Sequence, residues 1–514
     1  MYKKILCTLL AALCTISLAG CGNNDSTGNS GDSGSSSGNS TADAGSATSD
    51  EEPYLVHFMY LVAAEGSNQS KINEIANELT LQELNMNIDM MPMTFGAYNS
   101  TISTSLAAGE PLDMMPVYSS SFPTYIESGY LLNLYDYEDQ LTGVKEQMGD
   151  AYYAGDIGGF LCGFTEMKEW GFPCGLVVRK DIFDELGYSV DDFSVTADDI
   201  STFEQLDKLF ADVKENYPGV TAVGGGALAT QGFSWYDGLG NNFGVLGNYA
   251  TDTTVTNWYE SQQYYDFCSI QKRWFDAGYT SADIATTTDS GEVLMKAGNL
   301  FSFITYYKPN TNVEKLAQTG YETEVIELSE NGIKSNASIS SLSYCLSSAA
   351  EDPVKAAEFM NFAYTNGDFN DLINWGVEGE DWIEDENGQA TYPEGIDATN
   401  VATHNDYGWG LPNQFVGHAW AGNPVDIWDQ YREYNDNMMK SVAYGFGFDA
   451  TVVTNQIAQC TSVESEYQKP LAYGAVSDLD ASIKEFNDKL YAAGLEDIIA
   501  AKQEQLDAWL AENK

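Results

Sequence analysis

Hydrophobic and polar positions alternate in blocks that predict strands and helices in turn. Three compact apolar runs are typical of buried strands, and the two segments between them carry apolar positions at helical spacing. The predicted strands are residues 54–60, 86–91 and 112–118, and the predicted helices are residues 68–84 and 97–108. Short alternating units of this kind favour an α/β fold with an open, mostly parallel sheet and helices on both faces.

The alternation continues less regularly through the rest of the chain. Further predicted strands are residues 158–164, 172–178, 300–307, 324–328 and 339–346. Further predicted helices are residues 202–216, 259–277 and 353–365, and the chain ends in helical sequence over 482–513 that Gly494 interrupts. Ligands of open α/β sheets gather at the carboxyl ends of the strands, so we expect a binding site there.

A different pattern marks the amino end. Lys3 and Lys4 precede a short apolar run, and Leu18-Ala19-Gly20 precedes Cys21, which is typical of a lipoprotein signal peptide over residues 1–20. We expect cleavage before Cys21 and lipid on its side chain; an ordinary secretory peptide with an incidental cysteine is the alternative. Residues 21–52 are rich in Ser, Gly and Asn and predict a flexible tether. The folded part is then held at the extracellular face of the cell membrane by the lipid alone.

Composition narrows the possible partners. The 514 residues carry 23 Lys+Arg against 76 Asp+Glu, a formal charge of −53 that becomes −55 without the two lysines of residues 1–20. Such a surface repels phosphate backbones, which excludes nucleic acid as a partner. The 32 Tyr, 23 Phe and 10 Trp are a large aromatic content, and only three histidines are present.

Cysteine and motif spacing favour neither metal nor cofactor. Of the five cysteines that follow Cys21, Cys162 and Cys174 flank a possible hairpin; either they pair, or all five are small buried apolar residues. No phosphate-binding P-loop motif occurs, and the histidines lack zinc-binding spacing. We interpret the glycines of 224–226 as a loop and residues 385–388 as a β-hairpin turn rather than half of a calcium loop.

Several short motifs occur in a characteristic order. They are residues 105–113 (SLAAGEPLD, with Leu112 inserted between the usual Pro and Asp), 178–188, 202–206, 291–298 and 352–360. After the signal and tether, this order resembles the extracellular solute-binding lipoproteins of carbohydrate ABC importers (family 1 type). Residues 372–379, 409–413 and 486–509 are similar to the LplA-type subgroup, whose C-terminal region is a domain of unknown function.

The resemblance implies a two-lobed, type II periplasmic-binding-protein-like fold with a hinge between the lobes and a helical C-terminal extension. Residues 53–160 with 338–375 would form lobe I, and residues 161–337 with 376–514 would form lobe II. The family also implies the permease subunits of an ABC transporter as partner, and we expect a monomer.

A sugar presents hydroxyl groups at its edge and C–H groups on its faces, so its site needs carboxylate acceptors and flat aromatic rings. Strand ends, glycine-flanked aromatics and the family's acid give the candidates Tyr60, Glu65, Asp113, Tyr118, Trp170, Trp235, Tyr306, Trp375, Glu378 and Trp409. Core packing is the alternative for the aromatic residues, and turn or helix capping is the alternative for Asp113.

The sequence therefore predicts a lipid-anchored binding protein that captures an oligosaccharide by lobe closure and delivers it to an ABC importer, without enzymatic activity. Two alternatives stay open. A surface glycoside hydrolase needs only two suitably spaced carboxylates, and acidic residues are abundant here. A peptide-binding or adhesive lipoprotein would have the same architecture.

Overall fold

The computed structural model describes residues 52–62, 66–329 and 332–513. The signal peptide, Cys21, most of the tether and Glu65 lie outside these residues. The strands are β1 (Tyr54–Val62), β2 (Met86–Thr94), β3 (Met114–Tyr118), β4 (Asp156–Ile157), β5 (Phe160–Leu161), β6 (Phe164–Thr165), β7 (Cys174–Arg179), β8 (Thr221–Gly224), β9 (Val245–Leu246), β10 (Val255–Thr256), β11 (Leu300–Tyr306), β12 (Thr323–Glu327), β13 (Ile333–Lys334), β14 (Leu342–Leu346), β15 (Ile383–Glu384), β16 (Ala390–Thr391) and β17 (Met439–Lys440).

Helices separate most of the longer strands. They are α1 (Gln69–Leu84), α2 (Phe95–Ala108), α3 (Phe122–Glu127), α4 (Thr142–Met148), α5 (Lys180–Glu185), α6 (Glu204–Asn216), α7 (Gly247–Ala250), α8 (Gln262–Asp276), α9 (Gly291–Lys296), α10 (Thr311–Thr319), α11 (Asn336–Ile339), α12 (Pro353–Thr365), α13 (Gly367–Trp375), α14 (Ile427–Asp436), α15 (Thr454–Ala472), α16 (Leu479–Ala492) and α17 (Leu495–Asn513). None of the helices in the described residues has both the length and the apolar character needed to cross a bilayer.

The first sheet has the strand order β2-β1-β3-β14-β6. Strands β2, β1 and β3 run parallel, and β14 is antiparallel to β3. Alternate side chains of β1 point to opposite faces of the sheet, as the two-residue repeat of a strand requires. Phe58 and Tyr60 enter the hydrophobic cluster beneath α12 and α13, whereas Met59 and Leu61 pack towards α2. Both faces of the sheet are therefore covered.

The second sheet has the order β12-β7-β11-β8. Strand β7 is antiparallel to both of its neighbours, and only β11 and β8 are parallel, so the expectation of a mostly parallel sheet is wrong here. Leu176 and Val178 of β7 enter the larger cluster with α6 and α8, while Val177 packs on the opposite face against Met295. The α/β class is confirmed with mixed sheets.

The C-terminal third of the chain divides between the two sheets. Residues 411–438 contribute Leu411, Phe415 and Tyr431 to the cluster of the first sheet. Helices α15, α16 and α17 pack instead into the cluster of the second sheet. This packing differs from the expected assignment of all of 376–514 to lobe II, because the hydrophobic side chains of 411–438 are buried against first-sheet residues. The lobe boundaries themselves stay a prediction.

Three segments connect the two halves. Residues 166–173 lead from β6 of the first sheet to β7 of the second, and the return to β14 includes the described residues 332–341. The third crossing follows Met438, and its strand β17 pairs in parallel with β13 of the second crossing. Lys334 and Lys440 each place Nζ 3.0 Å from the carboxylate of Asp150. Two of the three crossings are thus linked to each other and to the first half.

All five described cysteines are buried free thiols. Cys162 packs with Cys345 in the cluster next to α2, whereas Cys174 lies in the second-sheet cluster. The structure therefore agrees with the alternative in which Cys162 and Cys174 do not form a disulfide bond.

Candidate functional site

The carboxyl ends of one strand from each sheet meet at a cleft. Strand β3 ends at Tyr118 and β11 ends at Tyr306, and both tyrosines line a cavity of about 400 Å³, here called cavity A. Two residues beyond Tyr306, Lys308 lines a second cavity of about 320 Å³, here called cavity B. The cleft therefore lies where strand ends meet, as in other open α/β folds.

Cavity A has polar walls with aromatic side chains between them. Tyr236 and Tyr259 contribute rings, and Asn241, Asn242 and Glu464 contribute amide and carboxylate groups. A smaller cavity of about 210 Å³ adjoins it and shares Ser119, Ser120 and Asn241 with it. Cavity A thus continues into this smaller cavity, here called the side chamber.

Cavity B has the denser aromatic lining. Its rings are Trp375, Tyr407, Trp409, Trp420, Trp428 and Tyr431. Between them lie the side-chain amides of Asn310, Asn374, Asn405, Gln414 and Asn423. Aromatic faces beside hydrogen-bonding amides offer both kinds of surface that a sugar ring presents.

Local structure fixes the two tryptophans at the centre of cavity B. Trp375 ends α13, and its Nε1 donates to the carbonyl oxygen of His418 at 3.0 Å. The next residue, Gly376, has φ +89°, and a Cβ there would lie 2.4 Å from Asp381, so only glycine turns the chain without strain. Trp409 lies in the short turn Gly408–Gly410, where the hydroxyl of Tyr344 donates to Gly410 at 2.7 Å.

Charged groups occupy one side of cavity B. Nζ of Lys308 lies 3.0 Å from Glu314 and 3.3 Å from Glu169. Burial opposes ionisation of Glu314, but the positive charges of Lys308 and Lys315 lower its pKa to about 2. Burial and the charge of Glu314 raise the pKa of Asp406 to about 6, against the effect of Lys308. Glu314 is therefore ionised at neutral pH, and Asp406 titrates just below it.

The chemistry that this arrangement can perform is recognition of hydroxyl groups and flat apolar faces. Among the described residues, no cluster of three or more His, Cys, Asp or Glu side chains is arranged to hold a metal ion. Strands β15 and β16 form an antiparallel hairpin around residues 385–388, which confirms the predicted turn. Residues 225–227 follow β8 as a loop, as expected.

Comparisons with known proteins agree with this geometry. A family model described as bacterial extracellular solute-binding protein matches residues 74–377, more than half of the chain. The chain belongs to this family. A model of a domain of unknown function matches residues 442–511, in agreement with the resemblance of the C-terminal region.

The chain is similar to a named bacterial protein and to a protein of known crystal structure. A carbohydrate ABC transporter substrate-binding protein of Streptococcus pneumoniae serotype 4 is 22% identical over 468 residues, which cover 89% of this chain and 91% of the relative. The crystal structure of an N-glycan transport solute binding protein from Streptococcus pneumoniae has a TM-score of 0.77 at 18% identity, and the match covers 90% of this chain and 100% of the other.

A second crystal structure of that protein, in complex with Man5GlcNAc, has a TM-score of 0.68 at 18% identity over 90% of this chain and 99% of the other. These matches confirm the two-lobed type II fold with a helical C-terminal region.

The structure brings four of the ten predicted site residues to the two cavities. Tyr118 and Tyr306 line cavity A, and Trp375 and Trp409 line cavity B. Another predicted site residue, Glu65, lies outside the residues that the structure describes. The role of these residues in ligand binding stays a prediction.

The other five predicted residues lie elsewhere. Tyr60, Trp170 and Trp235 are buried in the hydrophobic clusters, because the segments that carry them are covered by other elements. Glu378 is exposed in the turn after α13. Asp113 precedes β3 at its amino end, where it accepts hydrogen bonds from Tyr54 and His57 instead of facing either cavity.

Several cavity residues were absent from the sequence prediction. Tyr407, Trp420 and Trp428 belong to an aromatic-rich stretch between residues 405 and 431, and that density was an available signal. Glu314 and Glu464 lie on amphipathic helices, where an acidic residue at the edge of the apolar face looks like any solvated position. Nothing in the sequence pattern separated these two from the other acidic residues.

Proposed function

We propose that the protein is a lipid-anchored substrate-binding protein that captures a neutral oligosaccharide in the cleft between its two halves and delivers it to an ABC importer. The ligand occupies cavity B and extends towards cavity A. Residues 21–52 tether the body to the membrane through Cys21, and the permease subunits of the transporter receive the sugar. The protein acts as a monomer and has no enzymatic activity.

The six aromatic rings of cavity B carry this proposal. A pyranose ring stacks its C–H face on an indole or phenol ring, and its hydroxyl groups require acceptors and donors at the edge of that ring. Trp409 lies 5.1 Å from Tyr407 between ring centroids, and Trp375 lies 4.9 Å from Trp420. The amides and Glu314 surround these pairs. Cavity B offers two separate aromatic platforms, which suits more than one sugar unit.

The arrangement of the crossings supports lobe closure. Cavity A takes its lining from both halves, with Tyr118 on one side and Tyr306 on the other. Cavity B likewise combines Glu314 of α10 with residues 374–431. A ligand that contacts both walls stabilises the closed arrangement by its differential affinity for it. Closure about the three crossing segments would then enclose the sugar.

The relatives support the ligand class. The curated relative is named as a carbohydrate ABC transporter substrate-binding protein, and the structural neighbour was crystallised with Man5GlcNAc. The family as a whole is extracellular. We infer the same class of ligand and location for this chain, because its cleft has the aromatic and amide groups that a glycan needs.

A binding panel tests the proposal. The purified protein is incubated with maltotriose, xylotriose, kestose and Man5GlcNAc, and the melting temperature and any released products are measured. A ligand that binds the native state raises the melting temperature in a saturable way, according to RT ln(1 + [L]/Kd). We expect at least one glycan to do so without turnover. Trp409→Ala should weaken its binding at least about tenfold, since stacked aromatic residues dominate such sites.

Tyr153→Ala is the matched control, because Tyr153 is an aromatic residue 40% exposed on the first half and lines neither cavity. It should leave the affinity within about twofold. Release of cleaved sugar at enzymatic rates would favour a glycoside hydrolase instead. Stabilisation by peptides alone would favour a peptide-binding lipoprotein. Either result overturns the proposal.

A further inference from the structure

One face of α15, within the C-terminal region of unknown function, forms part of the wall of cavity A. Ile457, Thr461, Glu464 and Gln468 all line this cavity. Their spacings of four, three and four residues place them on a single helical face, one above the other. Ile457, at the first end of this row, also lines the side chamber. Glu464, further along the row, accepts a hydrogen bond from the hydroxyl of Tyr259. The C-terminal region therefore reaches the cleft directly.

Glu464 is held in a fixed orientation within this wall. Its Oε1 accepts hydrogen bonds from the hydroxyl of Tyr259 at 2.5 Å, from Nε2 of Gln468 at 3.2 Å and from Nδ2 of Asn242 at 3.4 Å. All three bonds end on Oε1, so among the described residues Oε2 receives none of them. A carboxylate held through one oxygen presents the other as a hydrogen-bond acceptor, and an ionised carboxylate has about four lone-pair positions in all.

A loop in the wall of cavity A is held by the same C-terminal region. Gly238, Gly240, Asn241 and Asn242 belong to a loop that lines the cavity. Nζ of Lys502, on α17, donates to the carbonyl oxygens of Gly238 at 2.7 Å, Asn241 at 2.9 Å and Gly244 at 2.8 Å. Lys502 has no exposed surface. Helix α17 thus fixes the loop, and α15 provides the adjoining part of the wall, where Asn242 of the loop donates to Glu464.

We propose that the C-terminal region is a specificity element of the binding cleft, in which Glu464 and Gln468 hydrogen-bond the hydroxyl groups of one sugar unit in cavity A. Lys502 is a positioning residue that holds the adjoining loop, and with it Asn242, in place beside Glu464. This inference rests on the proposed function, since it assigns a sugar subsite to cavity A in addition to the aromatic cavity B. The chemical class of the ligand is a neutral pyranose or furanose unit with at least two adjacent hydroxyl groups.

The test compares selectivity rather than affinity alone. Maltotriose, xylotriose, kestose and Man5GlcNAc are titrated by calorimetry into the wild type, Glu464→Gln and Gln468→Ala. Glu464→Gln keeps an oxygen for the hydroxyl of Tyr259, so the ligand-free melting temperature should change by less than about 2 °C. We expect the best-bound glycan to bind at least about tenfold more weakly and the ratio of Kd values between glycans to change. A merely structural role would leave that ratio unchanged.

Glu504→Gln is the control, because Glu504 is an exposed carboxylate on α17. It should leave all Kd values within about twofold. If both cavity A variants bind every glycan as the wild type does, while Trp409→Ala loses binding, the inference is wrong and the proposed function stands. If the wild type binds none of the four glycans, the proposed function fails and the inference fails with it.

Discussion

Nζ of Lys502 lies 2.7 Å from the carbonyl oxygen of Gly238, which joins the last helix of the chain to a loop that lines the cleft. The same amine also lies 3.0 Å from Oδ1 of Asn241, in addition to two further carbonyl oxygens. Its N–H groups, at most three, are therefore shared among four acceptors inside the protein, and burial lowers the pKa of Lys502 well below its usual value. Burying an amine is costly unless it is hydrogen-bonded in this way.

Replacement of this amine should destabilise the protein. Lys502→Met keeps the length of the side chain but removes the donor of the carbonyl oxygens of Asn241 and Gly244, and it takes from Gly238 one of its two donors, the other being the N–H of Asn241. Since each unsatisfied buried acceptor costs about 1–3 kcal/mol, we expect the free energy of unfolding to fall by roughly 3 kcal/mol or more. Urea unfolding measures this free energy. Lys484→Met, at a lysine 74% exposed on α16, should change it by less than about 1 kcal/mol. Equal effects of the two substitutions would contradict this role.

Asp113 gives a second prediction, in which stability and binding separate. Its Oδ2 accepts from the backbone N–H of His57 at 2.7 Å, its Oδ1 accepts from the hydroxyl of Tyr54, and its side chain is 1% exposed. Asp113→Asn replaces one acceptor by a donor, so we expect a loss of about 1–3 kcal/mol in the free energy of unfolding. Glycan affinity should stay within about twofold, because Asp113 faces neither cavity.

The measurement is urea unfolding together with calorimetric titration of the best-bound glycan. Asp89→Asn is the control, since Asp89 is an exposed residue of β2 that lies opposite His57 in the register. A large loss of affinity in Asp113→Asn with unchanged stability would restore the prediction that Asp113 is a ligand contact.

The sequence predicted the elements well where local signals agreed. Helix α12 begins and ends as expected, because Asp352 caps its first turn and Pro353 occupies the first helical position. The predicted strand over 158–164 was wrong: Gly158 and Gly159 have positive φ values and turn the chain between the two-residue strands β4 and β5. A run of apolar and glycine residues does not by itself separate a strand from a hairpin turn.

The site was harder to predict, for a physical reason. Trp375 and Trp409 line cavity B next to glycines that turn the chain, although Trp375 itself is only 3% exposed. Tyr60 and Trp235 have equally large rings, but their surroundings cover them on every side, and this depends on contacts far apart in the sequence. The role of α15 was out of reach for the same reason, since only the fold brings Glu464 next to Asn242.

The cysteines give a third prediction. Burial raises the pKa of the Cys162, Cys174, Cys268 and Cys345 thiols, and burial together with Glu464 raises that of Cys460 to about 11. Buried thiols of raised pKa react slowly because the thiolate is the nucleophile. We expect none of the five to react with a thiol reagent in the native protein and all five to react after denaturation without reductant. If denaturation releases only three of them, two are paired, and the unpaired state of Cys162 and Cys174 is wrong.

The last prediction concerns pH and the buried carboxyl of Glu166, at the start of the first crossing. Both of its oxygens lack a hydrogen-bond partner among the described residues. Burial raises the pKa of Glu166 to about 8. The charge of Lys168 lowers this pKa and the charge of Glu169 raises it, both by less than burial does. The other titratable groups that interact with it are Tyr118, Tyr344, Cys345 and Tyr364.

Between about pH 4.5 and pH 8 the unfolded chain has lost the proton of Glu166 while the folded protein retains it. The unfolded state binds fewer protons there, so the contribution of Glu166 to stability falls as the pH rises, by at most about 1.4 kcal/mol per pH unit. Glu166→Gln cannot ionise and should lose this dependence. We therefore expect the variant to gain stability relative to the wild type when urea unfolding is repeated from about pH 5 to about pH 8. Glu327→Gln, at an exposed position of β12, should follow the wild type at every pH. If the curves of wild type and Glu166→Gln run parallel over this range, Glu166 is already ionised in the folded protein, and a charged side chain must then have a partner at the first crossing.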